Sequence, residues 1–201
     1  MENTVIQIQE LLNSHSQVKD KKIARRKLDK IKMELKKRGI QMNLYLGNEI
    51  YISENINNLL KDGIVSSMAD SDYVLVELPI NAELKRWEEL INRIIHIGKK
   101  VIIAHPERYI YVQKNIKYFE KLRATGRVYL QGNFGSIIGR YGKEAQKVII
   151  KLIKEKKIDV LATDIHRNNS YRKIPEIMLK LKTYQILILL KLVKTLELVM
   201  A

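Results

Sequence analysis

Short apolar runs alternate with amphipathic segments through most of this 201-residue chain. The runs have the length of buried strands, and the segments between them space their apolar residues three and four apart, as helices do. Strands that alternate with helices favour a parallel sheet, because a parallel pair needs a crossover connection. Strands are predicted at 40–46, 73–78, 101–104, 128–131 and 158–163, and helices at 53–63, 82–97, 115–124, 141–156 and from 174 onward.

The first 39 residues are predicted to be helical. Gly39 stands where the C-cap of a helix is expected. We therefore expect the chain to open with helix, from residue 1 to 16 and again up to Gly39. The apolar residues that share a helical face are Val5, Ile8, Leu11 and Leu12 in the first part and Ile23, Leu28, Ile31 and Leu35 in the second.

Carboxylates and imidazoles stand at or near the carboxyl ends of the predicted strands. Apolar packing gives no reason for such groups there, whereas α/β enzymes build their sites where the ends of parallel strands converge. A single one would more often be a capping or core hydrogen bond, but five independent instances favour a metal site. The candidate ligands are Glu49, Glu77, His105, Asp164 and His166.

The mixed oxygen and nitrogen ligands favour Mn or Fe, with Zn as a further possibility. Asp164 and His166 lie two residues apart, so both point to the same side of an extended segment. Glu77 is placed to bridge two ions, which would stabilise the attacking and leaving oxygens of a phosphate ester. His15 and His96 have no ligand-type neighbours at useful spacing, and we do not expect them to bind metal.

Arginines and a glycine-rich turn accompany the candidate ligands. Arg108 follows His105 by three residues, and its guanidinium either grips a phosphate or pairs with Glu107 or another loop carboxylate. The turn from 132 to 139 lets the backbone approach a ligand, although such a turn is not specific. Further substrate-binding candidates, on position alone, are Ser136, Arg167 and Arg172.

Composition restricts the possible chemistry. The length fits one domain over residues 1–201. The absence of Cys excludes disulfides, thiolate metal sites and hydrolysis of phosphate esters by a cysteine nucleophile. The formal net charge of +15 would attract nucleic acid, anionic membranes or acidic substrates. Because the charges are dispersed among Glu and Asp, we favour solvated helix faces and expect no nucleic-acid partner.

Neither end of the chain is expected to enter a membrane. Residues 1–4 lack the basic start and apolar core of a signal peptide. The apolar stretch 184–200 is interrupted by Lys191, Lys194 and Glu197, and it falls short of the roughly 20 apolar residues of a membrane-spanning helix. The sequence therefore predicts a cytoplasmic protein.

The stretches around the candidate ligands resemble the bacterial PHP-type (polymerase and histidinol phosphatase) protein-tyrosine phosphatases, which regulate capsule and exopolysaccharide synthesis. The resemblance runs in family order from about residue 18 to 182. Its most specific part is 103–109, Ile-Ala-His-Pro-Glu-Arg-Tyr. The other matching stretches are 46–50, 72–79, 131–136 and 162–166.

The resemblance implies a metal-dependent phosphatase on a distorted (β/α)₇ barrel. Its substrate would be phosphotyrosine in the C-terminal tail of a bacterial tyrosine kinase. By position, Arg108 matches an arginine at the family's active site. The residues that match ligands of its two- or three-ion manganese cluster are Glu49, Glu77, His105, Asp164 and His166.

The chain departs from the family pattern at its start. The Asp-x-His-x-His motif and the Thr-Pro-His type motif of the first two family strands are absent. We therefore expect an incomplete barrel without those two strands, whose unpaired edges would favour self-association. The alternatives are a truncated, catalytically impaired paralogue that binds kinase tails, a PHP-type phosphatase for a small phosphorylated metabolite, and, least favoured, a basic nucleic-acid-binding module.

Overall fold

A computed structural model describes residues 5–12, 21–41, 43–81 and 86–164. The strands are β1 (Val5–Leu12), β2 (Asn43–Tyr51), β3 (Tyr73–Glu77), β4 (Lys100–Ala104), β5 (Val128–Asn133) and β6 (Val160–Ala162). The helices are α1 (Lys21–Lys37), α2 (Ile56–Lys61), α3 (Trp87–His96), α4 (Ile110–Lys114), α5 (Glu120–Arg123), α6 (Phe134–Ile137) and α7 (Lys143–Lys154). Single 3₁₀ turns form at Met68–Asp70 and Pro106–Arg108.

The strands follow one another in chain order, from β1 to β6, in a single hydrogen-bonded series. β1 pairs with β2, β2 with β3, and β5 with β6, each in parallel. Helices or helical turns connect the strands, as parallel neighbours require. The predicted parallel α/β arrangement is confirmed.

The opening segment corrects the sequence prediction, because Val5–Leu12 is a strand and not a helix. Its eight residues pair in register with β2, from Val5 opposite Asn43 to Leu12 opposite Ile50. Residues 5–9 read Val-Ile-Gln-Ile-Gln, which alternates with the period of a strand and contains β-branched residues that favour extended backbone. In residues 5–12, the helical spacing of the apolar residues was therefore a weaker indication of secondary structure than the strand-like alternation. Among the described residues of 1–39, the predicted helix is confirmed only in α1.

A second difference concerns residues 115–124, predicted as one helix. The structure has the short helix α4 before this segment and the four-residue helix α5 at its end. Asn115 interrupts the helix because its backbone is extended and its Oδ1 accepts a hydrogen bond from the backbone N–H of Lys117. Asn commonly forms such a local turn in competition with a helix.

The chain folds into two compact units. Among the described residues, the first unit lies within Met1–Glu77 and Arg86–Val101. Its α1 packs Ala24 and Leu28 against Leu44 and Leu46 of β2. Three consecutive residues of β3 are also fully buried, and α3 buries one face. The buried residues of α3 are Trp87, Leu90, Ile91 and Ile94.

The second unit lies within Leu78–Lys85 and Ile102–Leu198. Its longest described helix, α7, packs on β5. Gly132 of β5 permits this close approach, because a Cβ there would stand 2.4 Å from Cδ1 of Ile149. The buried residues of α7 are Ala145, Val148, Ile149, Leu152 and Ile153.

Among the described helices of the chain, none combines the length and apolar character needed to cross a bilayer.

Candidate metal centre and its polar network

Two of the predicted ligands, Glu49 and Glu77, lie on neighbouring parallel strands. Glu49 lies within β2, opposite Leu75 of β3, and Tyr51 lies opposite Glu77. Because alternate residues of a strand point the same way, both glutamates project from one face of the sheet. Glu49 is 3% exposed and Glu77 is half-buried. Burial, and then the negative charge of Glu77, raise the pKa of Tyr51.

His105 completes a group of three ligand-type side chains with these glutamates. Each of the three offers one ligand atom, and these atoms lie within 4.8 Å of one another. His105 is buried, and its ring meets that of Tyr109 edge-on at 5.7 Å. Two carboxylates and an imidazole form a donor set that suits Mn, Fe or Zn. The structure therefore brings together three of the five predicted ligands in an arrangement that fits a metal ion.

Two of the predicted ligands hold unusual backbone conformations. His105 follows β4 with a φ of 33°, and Asp164 follows β6 with a φ of 47°. Residues other than Gly rarely adopt a positive φ, which costs energy, and such residues cluster at functional sites. Among the described residues, Ala69, Asp70 and Lys156 also have a positive φ, so two of the five such residues are predicted ligands.

Asp164 lies beside Arg108 and Asn133. Its Oδ2 accepts a hydrogen bond of 2.9 Å from Nδ2 of Asn133 and faces Nη1 of Arg108 at 3.4 Å. The Asp164 side chain is 7% exposed and that of Arg108 22% exposed. The sequence left open whether Arg108 grips phosphate or pairs with a loop carboxylate. In the structure it pairs with Asp164, close enough to the surface to meet a ligand as well.

Glu107 is a fully buried carboxyl group for which the sequence suggested only a pairing with Arg108. Its side chain instead points inward, where Oε1 accepts hydrogen bonds from the hydroxyl of Ser136 at 2.6 Å and the backbone N–H of Asn133 at 3.1 Å. Burial raises the pKa of Glu107, and the bond from Ser136 offsets part of that rise. Glu107 therefore anchors the turn that joins β5 to α6.

Ser136 is fully buried, and its hydroxyl donates to Glu107. Its substrate-binding role stays a prediction. The predicted ligand His166 and the predicted substrate contacts Arg167 and Arg172 lie outside the described residues. His96, not expected to bind metal, lies exposed at the end of α3, and its Nδ1 is 2.7 Å from the backbone oxygen of Asn92.

Tyr109 is a second residue whose role the sequence did not reveal. Its ring is fully buried, and its hydroxyl donates to the backbone oxygen of Ala104 at 2.8 Å and accepts from the N–H of Leu78 at 2.9 Å. Ala104 precedes His105, and Leu78 follows Glu77. The hydroxyl of Tyr109 therefore bonds to the backbone beside Glu77 and beside His105, two members of the triad formed by Glu49, Glu77 and His105. The presence of a Tyr inside the 103–109 motif was the available signal.

Comparisons with known proteins agree with this chemistry. Residues 5–185 match the family described as "Capsular polysaccharide synthesis, CpsB/CapC". The putative tyrosine-protein phosphatase CapC of Staphylococcus aureus is 31% identical over 142 residues, which cover 70% of this chain and 54% of CapC. The tyrosine-protein phosphatase YwqE of Bacillus subtilis (strain 168) is 28% identical over 138 residues, 69% of this chain and 54% of YwqE.

A solved structure is also similar. It comes from a study of YwqE from Bacillus subtilis and CpsB from Streptococcus pneumoniae, described as "unique metal-dependent tyrosine phosphatases". The TM-score is 0.66 at 26% sequence identity, covering 73% of this chain and 59% of that one. The present chain spans about half the length of the curated relatives that it matches.

Proposed function

Because this chain belongs to the CpsB/CapC family of capsular polysaccharide synthesis, we propose that it is a metal-dependent protein-tyrosine phosphatase. The observation that carries the proposal is the triad of Glu49, Glu77 and His105, whose ligand atoms lie within 4.8 Å of one another. It occurs in a chain whose relatives are named tyrosine-protein phosphatases and whose structural neighbour is described as metal-dependent.

Glu49, Glu77 and His105 would hold the ion, with Asp164 and His166 as further ligands. We assign Mn²⁺ in a cluster of two or three ions, on the oxygen-rich donor set. When bound, the metal supplies a Lewis acid that polarises a phosphoryl oxygen and lowers the pKa of water. The carboxylates of Glu49 and Glu77 would offset part of the positive charge of the bound metal.

Arg108 would bind the substrate phosphate. A guanidinium presents two parallel N–H groups to two phosphate oxygens, and it neutralises the charge that develops during transfer. The ion pair with Asp164 and the face of the Tyr141 ring, 4.5 Å from the guanidinium carbon, orient the side chain. Arg108 is therefore oriented before substrate arrives, which reduces the entropy lost on binding.

The wider proposal follows the family. The substrate is phosphotyrosine in the C-terminal tail of a tyrosine kinase, and the protein acts in the cytoplasm. The six strands form part of a distorted (β/α)₇ barrel, and self-association of the chain is a further part of the proposal. Arg167 and Arg172 are assigned to the substrate side of the site, and Ser136, whose buried hydroxyl is bonded to Glu107, is assigned to the support of that side from within.

Hydrolysis of p-nitrophenyl phosphate with and without Mn²⁺ tests the proposal. We expect metal-stimulated turnover that falls by more than about 100-fold in His105→Ala, since changes beyond the ligands themselves already cost about 10- to 100-fold. His96→Ala is the matched control and should retain activity. Folded wild-type protein with no more turnover than His105→Ala would reject a working phosphatase and favour an impaired paralogue.

The substrate class needs a separate comparison. A phosphotyrosine peptide and histidinol phosphate, assayed side by side with Mn²⁺, separate a protein phosphatase from a phosphatase of small metabolites. We expect a higher kcat/KM for the peptide. A preference for histidinol phosphate would replace the protein substrate with a metabolite.

A further inference from the structure

The ring of Tyr141 lies next to two guanidinium groups. The guanidinium carbon of Arg108 is 4.5 Å from the ring centre, and that of Arg140 is 5.9 Å from it. Arginine over an aromatic face is a favourable arrangement within about 6 Å. We call Arg108, Tyr141 and Arg140 the arginine–tyrosine platform. It joins the phosphate-binding candidate Arg108 to a second cation.

The platform rests directly on the turn after β5. A Cβ at Gly135 would stand 2.9 Å from Cε2 of Tyr141 and 3.3 Å from Cδ of Arg140, so the absence of a side chain makes room for both residues. In the same turn, Oδ1 of Asn133 accepts a hydrogen bond of 2.7 Å from the N–H of Gly135. Nδ2 of Asn133 donates a hydrogen bond of 2.9 Å to Oδ2 of Asp164. The platform is therefore connected by direct contacts to a predicted metal ligand.

The two arginines of the platform differ in their partners. Arg108 pairs with Asp164 and is mostly buried. Arg140 is exposed, and among the described residues no carboxylate pairs with it. Among the exposed arginines of the described chain, Arg25 and Arg86 form ion pairs with nearby carboxylates, whereas Arg127, like Arg140, pairs with no described carboxylate. Within the described residues, no carboxylate offsets the positive charge of Arg140.

We propose that Arg140 is the centre of a second subsite, which binds an acidic side chain close to the phosphotyrosine of the substrate. The inference rests on the proposed function and narrows its substrate class to acidic phosphopeptides. Arg108 takes the phosphate, and Arg140, on the same aromatic ring, takes the carboxylate. The formal net charge of +15 favours the approach of such a substrate.

Peptide pairs test the subsite. Phosphotyrosine peptides flanked by Glu, Ala or Lys are compared by kcat/KM with Mn²⁺ in wild type, Arg140→Gln, Arg140→Glu and Arg127→Gln. We expect wild type to prefer the Glu-flanked over the Ala-flanked peptide by about three- to fivefold, as for one partly exposed ion pair. Arg140→Gln should bring this ratio close to 1, and Arg140→Glu should favour the Lys-flanked peptide.

Arg127 is the matched control, since it is an exposed arginine of the same unit, outside the platform. Arg127→Gln should keep the wild-type ratio of kcat/KM for the Glu- and Ala-flanked peptides. This result would show that the loss of one positive charge does not by itself abolish the preference for the Glu-flanked peptide. Because the readout is a ratio between two peptides, a general loss of turnover in a variant cancels. A ratio that Arg140→Gln leaves unchanged would overturn the inference.

Binding separates this inference from the proposed function. The same peptides carrying a non-hydrolysable phosphonate in place of phosphotyrosine give dissociation constants without turnover. A protein without phosphatase activity that still binds the Glu-flanked phosphonate more tightly, through Arg140, would retain the subsite and reject the enzyme. A protein that hydrolyses phosphotyrosine but binds Glu- and Ala-flanked phosphonates equally would retain the enzyme and reject the subsite.

Discussion

Tyr109 shows how one buried hydroxyl group can support the site. It bonds the backbone oxygen of Ala104 and the N–H of Leu78, which adjoin His105 and Glu77. Neither backbone group belongs to a helix, and both lie at buried residues. A buried backbone group that loses its partner is costly, because no water replaces the lost bond.

We therefore predict that Tyr109→Phe lowers the free energy of unfolding by about 1 to 3 kcal/mol, the cost of leaving buried polar groups unpaired. Urea denaturation measures this change. The matched control is Tyr129→Phe, which removes an exposed hydroxyl bonded to the backbone oxygen of Gly126 and should change stability by less than about 0.5 kcal/mol. Equal losses of unfolding free energy in Tyr109→Phe and Tyr129→Phe would mean that the buried hydroxyl of Tyr109 contributes no more to stability than an exposed one.

Glu107 marks the limit of sequence reasoning at the residue scale. The motif at 103–109 identified the segment, yet it offered Glu107 only as a partner for Arg108. The carboxyl group instead accepts hydrogen bonds from Ser136 and Asn133, residues 29 and 26 positions away in the chain. Contacts at such separation leave no local periodicity, so they became visible only in the folded chain.

At the scale of elements, the packing of α7 on β5 depends on one glycine. The position that a Cβ of residue 132 would occupy is 2.4 Å from Cδ1 of Ile149 and 3.2 Å from Cδ2 of Leu161. Ile149 is fully buried, and a buried side chain has little freedom to move, whereas Leu161 is half-buried. Gly132 therefore sets the distance between helix and strand.

Gly132→Ala should lower the free energy of unfolding by about 1 to 3 kcal/mol, as overpacking of a core does. Adding Ile149→Val removes the methyl group that the new Cβ meets. The double variant should consequently be more stable than Gly132→Ala alone, although Ile149→Val by itself costs about 0.5 to 1.5 kcal/mol. Thermal unfolding of the three variants measures this coupling, and strictly additive losses would show that no clash occurs.

At the scale of the whole molecule, a metal ion should stabilise the native state. Glu49 and His105 are buried, and Glu77 is half-buried. Each of them offers one ligand atom, and these three atoms lie within 4.8 Å of one another. A cation held there would offset the mutual repulsion of the carboxylates. An ion that binds only the folded protein adds about 2.7 kcal/mol at a concentration 100 times its dissociation constant.

We predict that Mn²⁺ raises the melting temperature and that EDTA reverses the rise. Glu77→Gln should reduce the shift, because it removes one anionic ligand. Glu89→Gln is the control, since Glu89 is an exposed residue of α3 that pairs with Arg86, and it should keep the full shift. Calorimetry with and without Mn²⁺ measures the rise in melting temperature of each variant. Equal rises in Glu77→Gln and Glu89→Gln would mean that Glu77 does not bind the ion.

Local periodicity and residue chemistry were enough to predict most of the alternation of helices and strands, the parallel sheet and the ligand types that follow the strands. The sequence by itself did not determine the pairing of Val5–Leu12 with β2, since the apolar residues there fit helical and strand spacing alike and only the partner strand decides. The inward direction of Glu107 and the bond from Leu78 to Tyr109 depend on tertiary structure, because they join residues 26 to 31 positions apart. The contact of Tyr141 with Gly135 spans only six residues, but it too depends on how the side chains pack in the folded chain.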